Sequence, residues 1–137
     1  TLGEEIDHCE KYLKCMKIRH GDHLNYEIEV PNEMLGIVVP KLVIQPLVEN
    51  SIKHGFEVSG PWRLAVRGRA GSGEWSIEVS DNGIGFDAAQ DAGDTHVGLS
   101  IMRERAYRIG AELALESKPG QGTRVRLALS HRRDSGV

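Results

Sequence analysis

The alternation of hydrophobic and polar positions along the chain predicts helices and strands in turn. Apolar residues recur about every 3.5 positions over residues 1–20, which is the spacing of an amphipathic helix. Strict alternation over residues 23–30 predicts a half-buried strand. A second helix is predicted over residues 40–54, where Pro46 would remove one hydrogen bond and could kink it.

The second half of the chain predicts two hairpins with a loop and a third helix between them. The loop, residues 82–97, is rich in glycine and acidic residues, and the helix covers residues 98–109. The hairpins pair residues 62–66 with 75–79 and residues 113–115 with 125–129. The pattern as a whole predicts an α+β fold, a two-layer sandwich in which about three helices cover one face of a mixed, mostly antiparallel sheet.

Composition restricts the classes of function. The chain has 137 residues, of which 39% are hydrophobic and 27% charged, as in a single globular domain. Lys and Arg number 17 against 20 Asp and Glu, which argues against a nucleic-acid partner. There is no apolar run of the roughly 20 residues that a membrane span requires, so membrane contact is not expected. Cys9 and Cys15 are expected to be reduced thiols.

The second predicted helix carries a cluster of polar side chains. Its apolar arc contains Ile44, Val48 and Ile52. The opposite arc presents a carboxylate, an amide, an ammonium and an imidazole together, from Glu49, Asn50, Lys53 and His54. Considered alone, this helix is also compatible with a solvated face that contains an ordinary i,i+4 ion pair.

Asp81 ends a predicted strand and has the same parity as Ile77 and Val79. Pleating therefore directs its side chain towards the core. A carboxylate there needs a hydrogen-bond donor, and the amino group of a ligand would supply one. Gly83 and Gly85 would allow a sharp turn and the close approach of a flat ligand. The alternative is an aspartate turn at the end of a strand.

Two further glycine segments carry weaker signals. Gly98 and Leu99 open the third predicted helix, whose free N–H groups could bind phosphate. The segment from Gly120 through Gly122 to Thr123 could be a second ligand loop or a plain hairpin turn.

In this order, the four segments resemble the catalytic ATP-binding domain of sensor histidine kinases, which belong to the GHKL ATPase superfamily. The resemblance covers about residues 20–130 and implies the Bergerat α/β sandwich, with ATP and Mg²⁺ as ligands. Residues 45–50 look like the subgroup that includes autolysis-regulating sensors, whereas residues 98–106 look like the nitrate-sensor subgroup. Pro46 stands where most of these kinases have Asn, and Gly98 is the single glycine of its box.

The resemblance implies roles for the helix residues. Asn50 matches the asparagine that ligates Mg²⁺, and Glu49 matches the acidic neighbour that activates the attacking group in related ATPases. Lys53 and His54 match positions near the phosphates.

It also implies a nucleotide site on the loops and strand ends. Asp81 matches the aspartate that bonds the adenine amino group, and residues 86–97 would form a lid over ATP. The remaining matches are the glycine boxes and their neighbours: Gly83, Gly85, Gly98, Leu99, Gly120, Gly122 and Thr123.

The resemblance further implies a division of the chain and a set of partners. Residues 1–20 would be the end of a helical dimerisation and phosphoacceptor region, residues 21–130 the ATP-binding domain, and residues 131–137 a polar tail. No phosphoacceptor motif is visible and His8 is a weak candidate, so the acceptor histidine is expected upstream. A response regulator would receive the phosphate. We expect a monomeric chain from a homodimeric parent, and a cytoplasmic domain of a sensor in a bacterial cell membrane.

Two other functions share this fold. One is a serine kinase or anti-sigma factor that phosphorylates or sequesters a protein. The other is a non-catalytic nucleotide sensor in which ATP closes the lid. A structural or interaction module without a ligand would leave the inward Asp81 without a partner, and exposure of Asp81 to solvent would favour that alternative.

Overall fold

The computed structural model describes residues 1–39, 44–55, 61–71, 73–83, 102–108 and 110–130, without the side chains of residues 50, 53–55, 129 and 130. The helices are α1 (Leu2–His20), α2 (Ile44–Gly55) and α3 (102–108). The strands are β1 (Leu24–Glu29), β2 (Trp62–Gly71), β3 (Glu74–Asp81), β4 (Ala111–Ser117) and β5 (Thr123–Ser130). Short 3₁₀ turns lie at Gly21–His23 and Asn32–Met34.

The five strands form one sheet in the order β1-β2-β3-β5-β4. The pair β1 and β2 is parallel, and the other three pairs are antiparallel. The chain passes through α2 between the parallel strands, as a crossover connection requires. The prediction of a mixed, mostly antiparallel sheet in an α+β fold is therefore confirmed.

The two faces of the sheet differ in chemistry. On the inner face Val66 pairs with Val79, and both side chains are buried. The outer face carries cross-strand ion pairs: Glu27 with Arg67, Glu78 with Arg124 at 3.6 Å and Glu74 with Arg126 at 3.6 Å. Exposed pairs of this kind contribute at most about 1 kcal/mol each to stability. The charged face therefore faces solvent, and the inner face provides the core.

All three described helices pack on the inner face. Leu13 of α1, Val48 of α2 and Ala106 of α3 are fully buried in the same cluster as Val66 and Val79. Burial of a Leu or Val side chain contributes about 1.5–3 kcal/mol. The helix layer and the sheet therefore share one hydrophobic core, as the apolar spacing predicts.

The helix α1 is attached to the rest of the domain at both ends. The N–H groups of Leu2 and Gly3 donate to the carbonyl oxygens of Ile37 at 2.7 Å and Leu35 at 2.9 Å. Near the other end, Lys17 Nζ donates to the carbonyl oxygen of Leu24 at 2.6 Å. The helix therefore packs as part of the same core that residues 21–130 build.

Two other predictions concern α1 and α2. Cys9 is buried and Cys15 exposed, and both are free thiols. Burial, with a smaller contribution from Glu5 and Glu49, raises the pKa of Cys9 to about 12.

Pro46 is the third residue of α2, where its missing N–H costs little, so the helix continues past it without a break. No helix in the described part of the chain is long and apolar enough to cross a membrane.

Candidate functional site

The C-terminal end of β3 places Asp81 on the inner face of the sheet. Asp81 stands opposite Leu64 of β2 and Thr123 of β5, in the rows that also contain the buried Ile77 and Val79. Its side chain is half-buried. The strand alternation alone thus explains why this carboxylate faces the helices, as its parity predicts.

Three groups donate hydrogen bonds to the Asp81 carboxylate. The N–H of Gly83 donates to Oδ1 at 2.9 Å, which forms an aspartate turn. The hydroxyl of Ser51 and the N–H of Thr123 also bond to it. The aspartate turn is therefore present, and Asp81 also faces inward as its parity predicts. These contacts fix the carboxylate between β5 and α2.

Burial raises the pKa of the Asp81 carboxyl above its ordinary value of 3.8. The hydrogen bonds from Gly83, Ser51 and Thr123 favour the charged form and only partly offset this effect. Asp81 also borders a groove of about 500 Å³, lined on this side by Leu115 and Ser117. The group is thus a partly desolvated acceptor that remains accessible from outside.

If Asp81 accepts the adenine amino group, as the resemblance implies, its raised pKa predicts that acid weakens nucleotide binding before an ordinary aspartate would protonate. A protonated carboxyl offers a poorer acceptor to an amino group, so affinity should fall by about tenfold per pH unit below the raised pKa. The measurement is the Kd of an ATP analogue by calorimetry from neutral pH downwards. Asp81→Asn should show only the titration of the nucleotide itself. Parallel curves for the two proteins would contradict the assignment.

The same pKa shift affects the free energy of unfolding in the opposite direction, because acid removes the cost of the buried charge. The folded state holds the Asp81 proton more tightly than the unfolded state does. The ionised carboxylate therefore lowers the free energy of unfolding at pH above the folded pKa, and this cost disappears as the pH falls below 3.8. Protonation of Asp81 in mild acid should therefore raise the stability of the fold while it weakens the carboxylate as a hydrogen-bond acceptor.

A pair of hydroxyl groups supports the β5 side of the site. Ser117 and Thr123 are register partners, and their side-chain oxygens lie 2.9 Å apart. Ser117 Oγ also donates to the carbonyl oxygen of Gly122 at 3.1 Å. These contacts hold the segment whose Thr123 N–H bonds to Asp81. Sequence reasoning missed Ser117, although its parity with Leu113 and Leu115 placed it on the inner face.

Gly122 makes a close backbone contact with the same strand end. Its φ is +80°, which L side chains rarely adopt. A Cβ at this position would overlap the carbonyl oxygen of Asp81 and lie 3.0 Å from Cα of Asn82. Gly120 has a similar φ of +79° but open space around it. Of these two glycines, only Gly122 is therefore required for the close approach of the turn between β4 and β5 to the end of β3.

The helix α2 supplies the other side of the site. Ser51, which the sequence analysis does not single out, brings α2 to Asp81. Glu49 is exposed, and its Oε2 accepts a hydrogen bond from Gln45 at 2.8 Å. Asn50 lies between them along the helix. Position along α2 thus brings the amide residue to the same end of the sheet as Asp81.

Several predicted site residues lie partly or wholly outside the described atoms. Asn50, Lys53 and His54 lie in α2, but their side chains are outside the described atoms. The lid and part of the glycine boxes also lie outside the described residues: residues 86–97, Gly85, Gly98 and Leu99. Within the described ranges there is no group of three or more His, Cys, Asp or Glu side chains that could hold a metal ion. His8 is exposed on α1.

Comparison with known families identifies the class of this domain. Residues 37–133 match the family of histidine kinase-, DNA gyrase B- and HSP90-like ATPases. This segment contains α2, most of the sheet and every described contact of Asp81. The chain belongs to that family.

Curated relatives are sensor kinases. The sensor histidine kinase YesM of Bacillus subtilis is 29% identical in an alignment that covers 98% of this chain and 24% of YesM. The sensor protein kinase HptS of Staphylococcus aureus is 31% identical in an alignment that covers 90% of this chain and 26% of HptS. The chain therefore spans about a quarter of the length of these relatives.

Solved structures share the fold at low sequence identity. The histidine kinase domain of a blue-light activated kinase from Erythrobacter litoralis superposes with a TM-score of 0.71 at 21% identity, over 98% of this chain and 63% of that one. The mycobacterial sensor histidine kinase MprB gives a TM-score of 0.63 at 16% identity, over 92% and 93%. The likeness extends through α1 in the first of these, because nearly the whole chain is covered.

Proposed function

We propose that this chain binds Mg-ATP as the catalytic domain of a sensor histidine kinase and transfers the γ-phosphoryl group to a histidine outside it. The observation that carries the proposal is the inward carboxylate of Asp81, held at the end of β3 by Gly83, Thr123 and Ser51. Family membership supports ATP as the nucleotide.

Asp81 would select the base. Its carboxylate accepts a hydrogen bond from the exocyclic amino group of adenine, and guanine carries a carbonyl oxygen at the corresponding position. A lost hydrogen bond at a partly desolvated group costs about 1–3 kcal/mol, which suffices to discriminate the two bases. Gly83, Gly85, Gly120, Gly122 and Thr123 would line the backbone side of the nucleotide.

The phosphates would lie near α2 and the start of the helix that follows Gly98. Asn50 would hold Mg²⁺ through its amide oxygen, and one protein ligand suffices because Mg²⁺ takes further oxygens from phosphates and water. The metal, when bound, neutralises phosphate charge. Lys53, His54 and the N–H groups near Gly98 and Leu99 would do the same from the protein.

The phosphoryl transfer needs only ATP and the acceptor histidine as reactants. The bond between the γ-phosphorus and the bridging oxygen breaks as a bond to the imidazole nitrogen forms, and ADP leaves with the electron pair. Glu49, exposed and hydrogen-bonded to Gln45, would accept the proton from the imidazole. Positioning and charge neutralisation supply most of such catalysis.

The partners follow from the chemistry. The acceptor histidine would lie in a helical region that precedes the ATP-binding domain, in the same subunit or in its partner. The segment 1–20 would be the end of that region. The phosphate would then pass to an aspartate of a response regulator, and the parent would be a homodimeric sensor in a bacterial membrane with this domain in the cytoplasm.

Titration calorimetry with a non-hydrolysable ATP analogue tests the proposal. Wild-type chain should bind about tenfold more tightly with Mg²⁺ than with EDTA, a difference of about 1.4 kcal/mol. Asn50→Ala should lose this enhancement and keep metal-free binding, because Asp81 is unchanged. Asn25→Ala, at an exposed position of β1, should behave as wild type. A folded chain that binds no adenine nucleotide would contradict the proposal.

A further inference from the structure

A buried carboxylate on α1 bonds to the first residue of α2. Glu5 is 6% exposed, and its Oε1 accepts a hydrogen bond from the backbone N–H of Ile44 at 3.0 Å. Ile44 is itself fully buried and begins α2. The two residues are 39 positions apart in the chain. The contact therefore joins two separate helices.

The physics of helix termini explains why a carboxylate is tolerated here. The first N–H groups of a helix have no partner within it, and this end carries a partial positive charge. The usual capping side chain belongs to the residue just before the helix. In this protein Glu5 performs the capping function from another helix. Because both groups are buried, water cannot easily take the place of this hydrogen bond.

The helix α2 has a second fixed point. Ser51, seven residues after Ile44, bonds to the carboxylate of Asp81. At a rise of 1.5 Å per residue, this point lies about 10 Å further along the helix axis. Glu49 and Asn50 lie in the turn just before it. The helix is therefore attached to α1 at its beginning and to the sheet two turns later.

We propose that Glu5 is a positioning residue of the nucleotide site. By bonding to the first N–H of α2, it sets the axial position of that helix and so the distance of Asn50 from Asp81. The proposal rests on the function proposed above. It also means that a displacement of α1 would be passed to α2 through this contact.

The two halves of the nucleotide site should respond differently to loss of this contact. Asp81 keeps two donors that do not belong to α2, the N–H groups of Gly83 and Thr123. Adenine recognition therefore depends mainly on the sheet. Asn50, in contrast, is itself a residue of α2. Weakening the Glu5 contact should impair metal-dependent phosphate binding more than binding of the base.

The test compares two affinities in the full chain by calorimetry: ADP in EDTA, and the non-hydrolysable ATP analogue with Mg²⁺. Glu5→Asp keeps the charge but shortens the reach, and Glu5→Gln keeps the reach but removes the charge. Each should lower the Mg²⁺-dependent affinity by about 3- to 10-fold, with ADP binding changed less than about twofold. Glu10→Gln alters an exposed carboxylate of the same helix and should match wild type.

The ratio of the two affinities distinguishes positioning from simple stabilisation. A lower melting temperature with equal losses for both ligands, or with no loss for either, would overturn the proposal. If Glu5→Asp does not fold, the ratio measured for Glu5→Gln decides. A wild-type chain that binds no nucleotide would overturn the proposed function and this inference together, whereas normal wild-type binding with unchanged ratios would overturn this inference alone.

Discussion

Replacing Asp81 by Asn is expected to weaken adenine-nucleotide binding by about 10- to 100-fold, with and without Mg²⁺. The substitution keeps the size of the side chain and turns an acceptor into a donor where the adenine amino group would bind. The cost corresponds to the roughly 1–3 kcal/mol of an unmade hydrogen bond at a desolvated group. Titration with ADP and with a non-hydrolysable ATP analogue measures it.

Inosine nucleotides provide a direct control, because they carry an oxygen in place of the amino group. They should bind weakly to wild type and lose little further affinity in Asp81→Asn. Glu78→Gln is the matched protein control, since Glu78 lies on the same strand with its side chain on the outer face beside Arg124. If ADP and inosine diphosphate lost affinity equally on substitution, Asp81 would not be reading the amino group.

Gly122→Ala is expected to abolish measurable nucleotide binding, whereas Gly120→Ala should leave it within about twofold. Both substitutions place a side chain at positive φ, which costs about 1–2 kcal/mol of stability. Only at Gly122 would the new Cβ overlap the carbonyl oxygen of Asp81. The overlap cannot be relieved easily, because Arg63 N–H holds the side chain of the adjacent Asn82 at 2.7 Å.

The pair is measured by denaturant unfolding and by nucleotide titration of each variant. Comparable losses of binding in the two variants would show that loop strain alone, and not the contact with the strand end, controls the site. A stability loss much larger for Gly122→Ala is compatible with the prediction, because displacement of β3 would also disturb the sheet.

The sequence determined the elements and the orientation of single side chains. Periods of 3.6 and 2 residues are local properties, so they identify α1 and the strands without knowledge of the fold. Asp81 is the clearest case, because its parity with Val79 suffices to turn it inward. The order of motifs then indicated the family, although it did so by resemblance and not through any derived contact.

The tertiary structure decided what those side chains meet. The spacing of apolar residues in α1 marks Ile6 as part of the buried stripe, yet Glu5 is the more deeply buried, because the N-terminus of α2 compensates its charge. The contacts of Asp81 with Ser51 and Thr123 likewise join residues 30 or more positions apart. Such contacts depend on how the sheet and helices close around one another, which no local period encodes.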